Sequence, residues 1–283
     1  MDFGSYAGFE IEKHTPGIAL FSFNQPDRLN GMSAAIKRDL IEALLQAQMD
    51  DAVRVLVITG QGRAFCAGDD LKAYPTHDGG PGRRMPLLPA GHHTAIGTYD
   101  GLRAVSQALN RAVRELDKLT VAAINGIAIQ TGLSLALACD FRIASEAARL
   151  GSATLRFALL PDEGGHHLLV QYLGVGRALD FVMRKRIASA AEALELGLVN
   201  EVVAPEELLP RSLELAGELA RGPQVAMRLL KRSVYNAAEV AFGPACEDIA
   251  ARTAVSDHHP DAREGVMAWR EKREPSFNQD LPE

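Results

Sequence analysis

Two glycine-bearing turns and one acidic pair hold the residue types from which a reactive site could be built. The first is AFCAGDD at 64–70, directly after the apolar run VLVIT at 55–59. Ala67 and Gly68 add almost no side-chain bulk. The backbone can therefore come close to a ligand and turn an amide, at about Asp69, toward a carbonyl oxygen. The same composition also suits a plain tight connection after a strand. An oxyanion needs a second donor, and VAAINGIAIQTGLSLALACD at 121–140 can supply one. There Gly126 ends a strand, and Thr131-Gly132 opens an apolar helix whose first amides have no partner within the helix. Gly60-Gln61-Gly62 does not extend this to dinucleotide binding, because Phe65 stands where the fingerprint requires its third glycine.

The acidic pair lies in LLPDEGGHH at 159–167. Asp162 or Glu163 could take a proton and return it, or the pair could simply cap a helix that starts at Gly164-Gly165. Burial would raise the pKa of such a carboxyl toward that of a useful base, whereas a helix N-terminus would lower it. His166, one turn beyond, could orient Glu163 or share its proton, or could simply be solvated. His92-His93, His166-His167 and His258-His259 lack the HExxH spacing, so no metal is expected. Cys66, Cys139 and Cys246 form an odd set without a CxxC pair, as expected of a reducing, cytoplasmic compartment. Cys66 reads either as a reactive thiol or as a small buried one.

These residues need a scaffold of mixed type. FEIEKH at 9–14 and GIALFSF at 17–23 read as two strands across the Pro16-Gly17 turn. Ser33 caps a helix with apolar residues Ile36, Leu40, Ala43, Leu44 and Ala47. VLVIT, VAAIN at 121–125 and DFRIAS at 140–145 are strand candidates, which gives a strand, strand, helix rhythm. The ten glycines and prolines between 75 and 101 are too many for one regular element and predict a mobile surface loop near the site. From about 166 to 273 the pattern is helical except for LVNEVV at 198–203. Gly197 is placed to stop a helix, and Pro205 and Pro223 to start others. A core over 1–203 with a helical region over 204–283 is the expected organisation.

Composition narrows the partners. The chain has 283 residues, 47% hydrophobic and 23% charged, as expected of an ordinary globular protein. Its net charge of −6, with no long basic run, argues against nucleic acid. The acids in MDFGSYAGFEIEKH argue against a secretory signal, and no apolar run is long enough to span a bilayer.

Taken in order, NQPDRLNGM at 24–32, AFCAGDDLK at 64–72, VAAINGIAIQTG at 121–132, ACDFRIAS at 138–145 and LPDEGG at 160–165 resemble the enoyl-CoA hydratase/isomerase, or crotonase, family. AAEALELGLVNEVV at 190–203 and EGVMAWREKREPSF at 264–277 continue the resemblance. It implies an α/β spiral of strand-strand-helix repeats with a helical C-terminal region that oligomerises. It also implies a homotrimer or dimer of trimers, and an acyl-CoA substrate of fatty acid metabolism with no cofactor beyond the coenzyme A of that substrate. By position, the oxyanion amides would be those of Asp69 and Thr131, with QTG in place of the family's glycine-rich run. Ala67, Gly68 and Gly132 would line the thioester, and Arg28, Lys72 and Lys272 would meet the coenzyme A phosphates. The two glutamates used by hydratases correspond to Ser134 and Thr154, neither of which is a carboxylate base. Glu163 resembles the single base of isomerases of the peroxisomal type, and Asp162 a dienoyl-CoA isomerase acid. An isomerase-like double-bond shift is therefore expected. Hydration (a lyase reaction) or C–C hydrolysis is the alternative, and non-catalytic acyl-CoA binding a third.

Overall fold

The computed structural model describes residues 1–70 and 94–282. Eleven strands occur among them: β1 (Gly4–Tyr6), β2 (Phe9–His14), β3 (Ile18–Phe23), β4 (Val55–Gly60), β5 (Ala64–Cys66), β6 (Leu119–Ile124), β7 (Ile127–Ile129), β8 (Phe141–Ser145), β9 (Arg149–Gly151), β10 (Ile187–Ser189) and β11 (Glu201–Val203). They form a seven-stranded sheet, β1-β2-β3-β4-β6-β8-β11, and a four-stranded sheet, β10-β9-β7-β5. From β3 to β11 the large sheet is parallel. Its central strands β3 and β6 are buried along their whole length, as parallel strands covered on both faces must be.

The spiral follows from how the strand pairs divide. β4, β6 and β8 each enter the large sheet and are followed at once by β5, β7 and β9, which turn into the small one. The helices are α1 (Ala34–Met49), α2 (Ala95–Gly101), α3 (Gln107–Glu115), α4 (Thr131–Ala138), α5 (Gly165–Met183), α6 (Ala190–Glu195), α7 (Leu208–Arg221), α8 (Gln224–Ala237), α9 (Phe242–Ser256) and α10 (Pro260–Glu271). Ser33 caps α1 by accepting from the Ile36 amide at 3.3 Å. The buried face of α1 is the expected apolar stripe with Lys37 added.

Three expectations need correction. The run from 166 to 273 is not helical apart from LVNEVV alone: β10 (Ile187–Ser189) interrupts it, a strand made by antiparallel pairing with β9. The stretch 75–101 is not irregular throughout. Its last seven residues form α2, capped by the Thr94 hydroxyl on the Gly97 amide at 3.1 Å, and residues 75–93 lie outside the described residues. The Thr94 cap and the continuation of the helix into the segment that follows outweigh the cost of about 1 kcal/mol for each helical glycine. α2 runs into α3 through a π-helical segment at Leu102–Ser106. Of LVNEVV, only Glu201–Val203 is strand. α6 stops at Gly197, whose φ is 74°, and Leu198 and Val199 are buried in the turn that follows.

Apolar packing fills both faces of the large sheet. Phe9, Phe21, Phe23, Leu40, Leu44, Leu56 and Ile58 belong to the main core, which continues through Phe65, Leu109, Leu133 and Leu169. Ile18, Leu20, Val55, Val57, Val121 and Ile143 face the other way and are covered by Leu208, Ala216 and Ala220 of α7. The face opposite the main core is thus closed by a helix beyond residue 203. α9 has no buried residue, and Phe242 and Trp269 are 85% and 81% exposed.

Candidate active site

Three chain segments meet where β5 ends, α4 begins and α5 begins. After Cys66 the chain passes through Gly68, whose φ of 102° suits glycine, and reaches Asp69. α4 starts beside it. A Cβ on Gly132 would lie 2.0 Å from the Cys66 carbonyl oxygen, so only glycine lets the helix N-terminus approach this closely. The preceding residue, Gln130, is bent to φ 55° and ψ −112°, a conformation costly for a side-chain-bearing residue. Its amide is anchored to the Gly151 carbonyl at 3.0 Å. Among the described residues, no hydrogen bond draws on the amide of Asp69 or of Thr131. Both expected oxyanion donors are therefore unspent.

Glu163 lies against this pair of segments and is 3% exposed. Its Oε1 is 2.7 Å from Thr131 Oγ1, and its Oε2 accepts from Gln130 Nε2 at 2.9 Å. Burial raises its pKa to about 7; the Thr131 hydroxyl pulls downward, and the negative charges of Asp162 and Asp69 push further up. A carboxyl balanced near neutrality both takes and returns a proton efficiently. Asp162 is half-buried, and burial followed by the charge of Asp69 raises its pKa as well.

A polar framework holds these groups. Lys37 Nζ, buried, lies 2.7 Å from Asp69 Oδ1 and 2.9 Å from Oδ2, and donates to Ser106 Oγ at 2.9 Å. Thr131 Oγ1 is 2.6 Å from Asp69 Oδ1. Gln107 Nε2 donates to the Asp162 carbonyl and Asn110 Nδ2 to that of Glu163, each at 3.0 Å. Ser106, at the end of the π segment, Gln107 and Asn110 thus face the site together, a use consistent with π segments marking functional regions.

The remaining expected residues are dispersed. His166 is exposed, with Nδ1 3.2 Å from the Pro161 carbonyl, and His167 is exposed 4.0 Å from Glu239. Arg28, exposed, is ion-paired to Asp70. Ala67 donates its amide to the Leu29 carbonyl at 3.0 Å, tying the AFCAGDD turn to the NQPDRLNGM segment. Lys272 is an exposed residue in left-handed conformation after α10, and Lys72 lies outside the described residues. Cys66 is fully buried and its thiol is pushed up to about 12, an inert, packing thiol. Ser134 is buried beneath α5, with its Oγ 2.2 Å from where a Cβ on Gly165 would stand. Thr154 Oγ1 is buried without a hydrogen-bond partner among the described residues.

Sequence reasoning missed Lys37, Ser106, Gln107, Asn110 and Gln130. A signal existed for Lys37, which falls three residues before Leu40 and seven before Leu44, on the apolar stripe of α1. Gln130 was visible as a departure from a glycine run, but its contact with Glu163 depends on tertiary structure.

A family model described as Enoyl-CoA hydratase/isomerase matches residues 13–82 and 88–280. The 1,2-epoxyphenylacetyl-CoA isomerase of Escherichia coli (strain K12) is 31% identical over 264 residues, covering 92% of this chain and 95% of that protein. The crotonyl-CoA hydratase of Syntrophomonas wolfei subsp. wolfei is 30% identical over 274 residues, covering 96% and 98%. Among solved structures, an enoyl-CoA hydratase from Bacillus anthracis superposes with a TM-score of 0.86 at 32% identity, over 96% of this chain and 99% of that one.

Proposed function

The chain belongs to the enoyl-CoA hydratase/isomerase family, and we propose that within this family of acyl-CoA enzymes it shifts a double bond in an unsaturated acyl thioester, with Glu163 as the single proton carrier. The thioester oxygen sits between the amides of Asp69 and Thr131. Ionised Glu163 takes a proton from the α-carbon, and the electron pair of that C–H bond spreads into a dienolate whose oxygen the two amides hold. The protonated carboxyl then returns the same proton to the γ-carbon. The double bond ends conjugated with the thioester, and nothing is consumed.

One observation carries this reading: among the described residues, the buried carboxyl of Glu163, balanced near neutrality, stands beside two amides that no hydrogen bond uses, while Ser134 and Thr154, which by resemblance correspond to the hydratase glutamates, carry hydroxyls. Among the relatives, one is named an isomerase of 1,2-epoxyphenylacetyl-CoA and one a crotonyl-CoA hydratase, so hydration is the competing outcome. The exposed apolar side chains of α8 to α10, Leu230, Val234, Phe242 and Trp269 among them, support self-association as a trimer or dimer of trimers.

Incubation of 3-enoyl-CoA substrates in oxygen-18 water tests the reaction. Conjugated product without label is expected. Labelled 3-hydroxyacyl or carboxylate product would replace the isomerase reading with hydration or C–C hydrolysis. Tight acyl-CoA binding without turnover across a panel of chain lengths would leave only a binding protein.

A further inference from the structure

The Thr131 hydroxyl has one proton and two short carboxyl contacts. Its oxygen is 2.6 Å from Asp69 Oδ1 and 2.7 Å from Glu163 Oε1, and the residue is fully buried. An ionised carboxylate only accepts hydrogen bonds, so the hydroxyl satisfies one of the two carboxylates, never both. Both contacts are hydrogen bonds only when one carboxyl is protonated and donates to Thr131 while Thr131 donates to the other. The surroundings decide which is which. Among the described residues, Asp69 has the ammonium of Lys37 against both its oxygens, whereas Glu163, besides Thr131, meets the neutral side-chain amide of Gln130.

We propose that Asp69, held by Lys37, is a positioning residue that claims the Thr131 hydroxyl proton and thereby keeps Glu163 as the carboxyl that carries and exchanges the reaction's proton. In the resting arrangement Glu163 O–H donates to Thr131 Oγ1, Thr131 O–H donates to Asp69, and Lys37 neutralises Asp69 while donating to Ser106. When Glu163 loses its proton, Thr131 can steady the new carboxylate only by turning its own proton away from Asp69. The contest for that proton keeps Glu163 avid for protons without removing it from catalysis. Among the described residues, the other charged or titratable groups near Glu163 are Asp162 beside it, Cys66 on β5, and His166 on α5, which faces solvent; α3 presents the neutral Gln107 and Asn110.

The inference rests on the isomerase reading only for the identity of the exchanged proton, and its test needs no turnover. The titration of Glu163 is followed by carbon-13 NMR of the side-chain carboxyls in the free protein, with the resonance assigned by its loss in Glu163→Gln. In Asp69→Asn the midpoint falls by about one pH unit or more. With Thr131→Val added, the same Asp69→Asn change moves it by less than half as much, because no hydroxyl is left to release. Lys37→Gln with Asp69→Asn removes the ion pair without changing net charge or stranding a buried ammonium. It serves where the single variant does not fold, and the same fall is expected. A midpoint unmoved by Asp69→Asn would overturn the proposal, as would a shift equally large without the hydroxyl, which would reduce Asp69 to a through-space charge. If the titrations behave as described while 3-enoyl-CoA is not isomerised, the function assigned above fails and the proton arrangement stands.

Discussion

Replacing Glu163 by glutamine should stabilise the fold, and the gain should depend on pH. The carboxyl is 3% exposed, and its pKa rises from 4.5 in the unfolded chain to about 7 in the folded one. Between those values the folded state holds more protons than the unfolded state, so stability falls as pH rises through this window. At about 1.4 kcal/mol per pH unit, the loss amounts to roughly 3 kcal/mol once pH exceeds the folded value. Glutamine is neutral at every pH and mimics the protonated acid, donating toward Thr131 while Thr131 keeps its bond to Asp69. Urea unfolding of both proteins at one fixed protein concentration gives the comparison. The variant should gain little near pH 4.5 and roughly 3 kcal/mol near pH 8. A gain that stays constant between those pH values would show that Glu163 is not titrating from a raised pKa, and the basis for its role would be lost.

Lys231 and Gly132 test the scaffold in different ways. Lys231 Nζ is buried 2.8 Å from Asp140 Oδ2, and Asp140 also accepts from the Thr120 amide and hydroxyl and from Tyr235. Lys231→Met should cost about 3 kcal/mol of folding stability, measured in urea, since the remaining donors only partly compensate a buried carboxylate. Gly132→Ala places a methyl 2.0 Å from the Cys66 carbonyl oxygen, so it should lose at least about 2 kcal/mol by the same assay and displace the Thr131 amide. Hydrogen exchange at Thr131 should report that displacement.

The elements that could be read in advance are those whose own composition decides their state. β2, β3, β4, β6 and β8 are apolar or alternating runs bounded by breakers, and the stripe of α1 behind Ser33 fixes both its start and its buried face. The three-residue strands β5, β7, β9 and β10 were hidden, because each is a strand only by pairing with another short segment. The helix over 95–101 was hidden by Gly97 and Gly101, which its Thr94 cap and its continuation into the π segment override. At the site, Asp69, Thr131 and Glu163 were legible as residue types in turns and at helix starts. Which carboxyl is buried was not: Asp162 and Glu163 are neighbours in sequence, yet one is half-exposed and the other enclosed by Gln130, Thr131 and Asn110. Lys37 and Ser106, some seventy residues apart, meet because the π segment packs beside α1.

The most direct test of the central claim is the turnover of Glu163→Gln on a 3-enoyl-CoA substrate, followed by the appearance of the conjugated product. Glutamine preserves the shape of the site but neither takes nor returns a proton. A fall in kcat of about 10²- to 10⁴-fold is expected, with acyl-CoA still bound. Full turnover in that variant would contradict it.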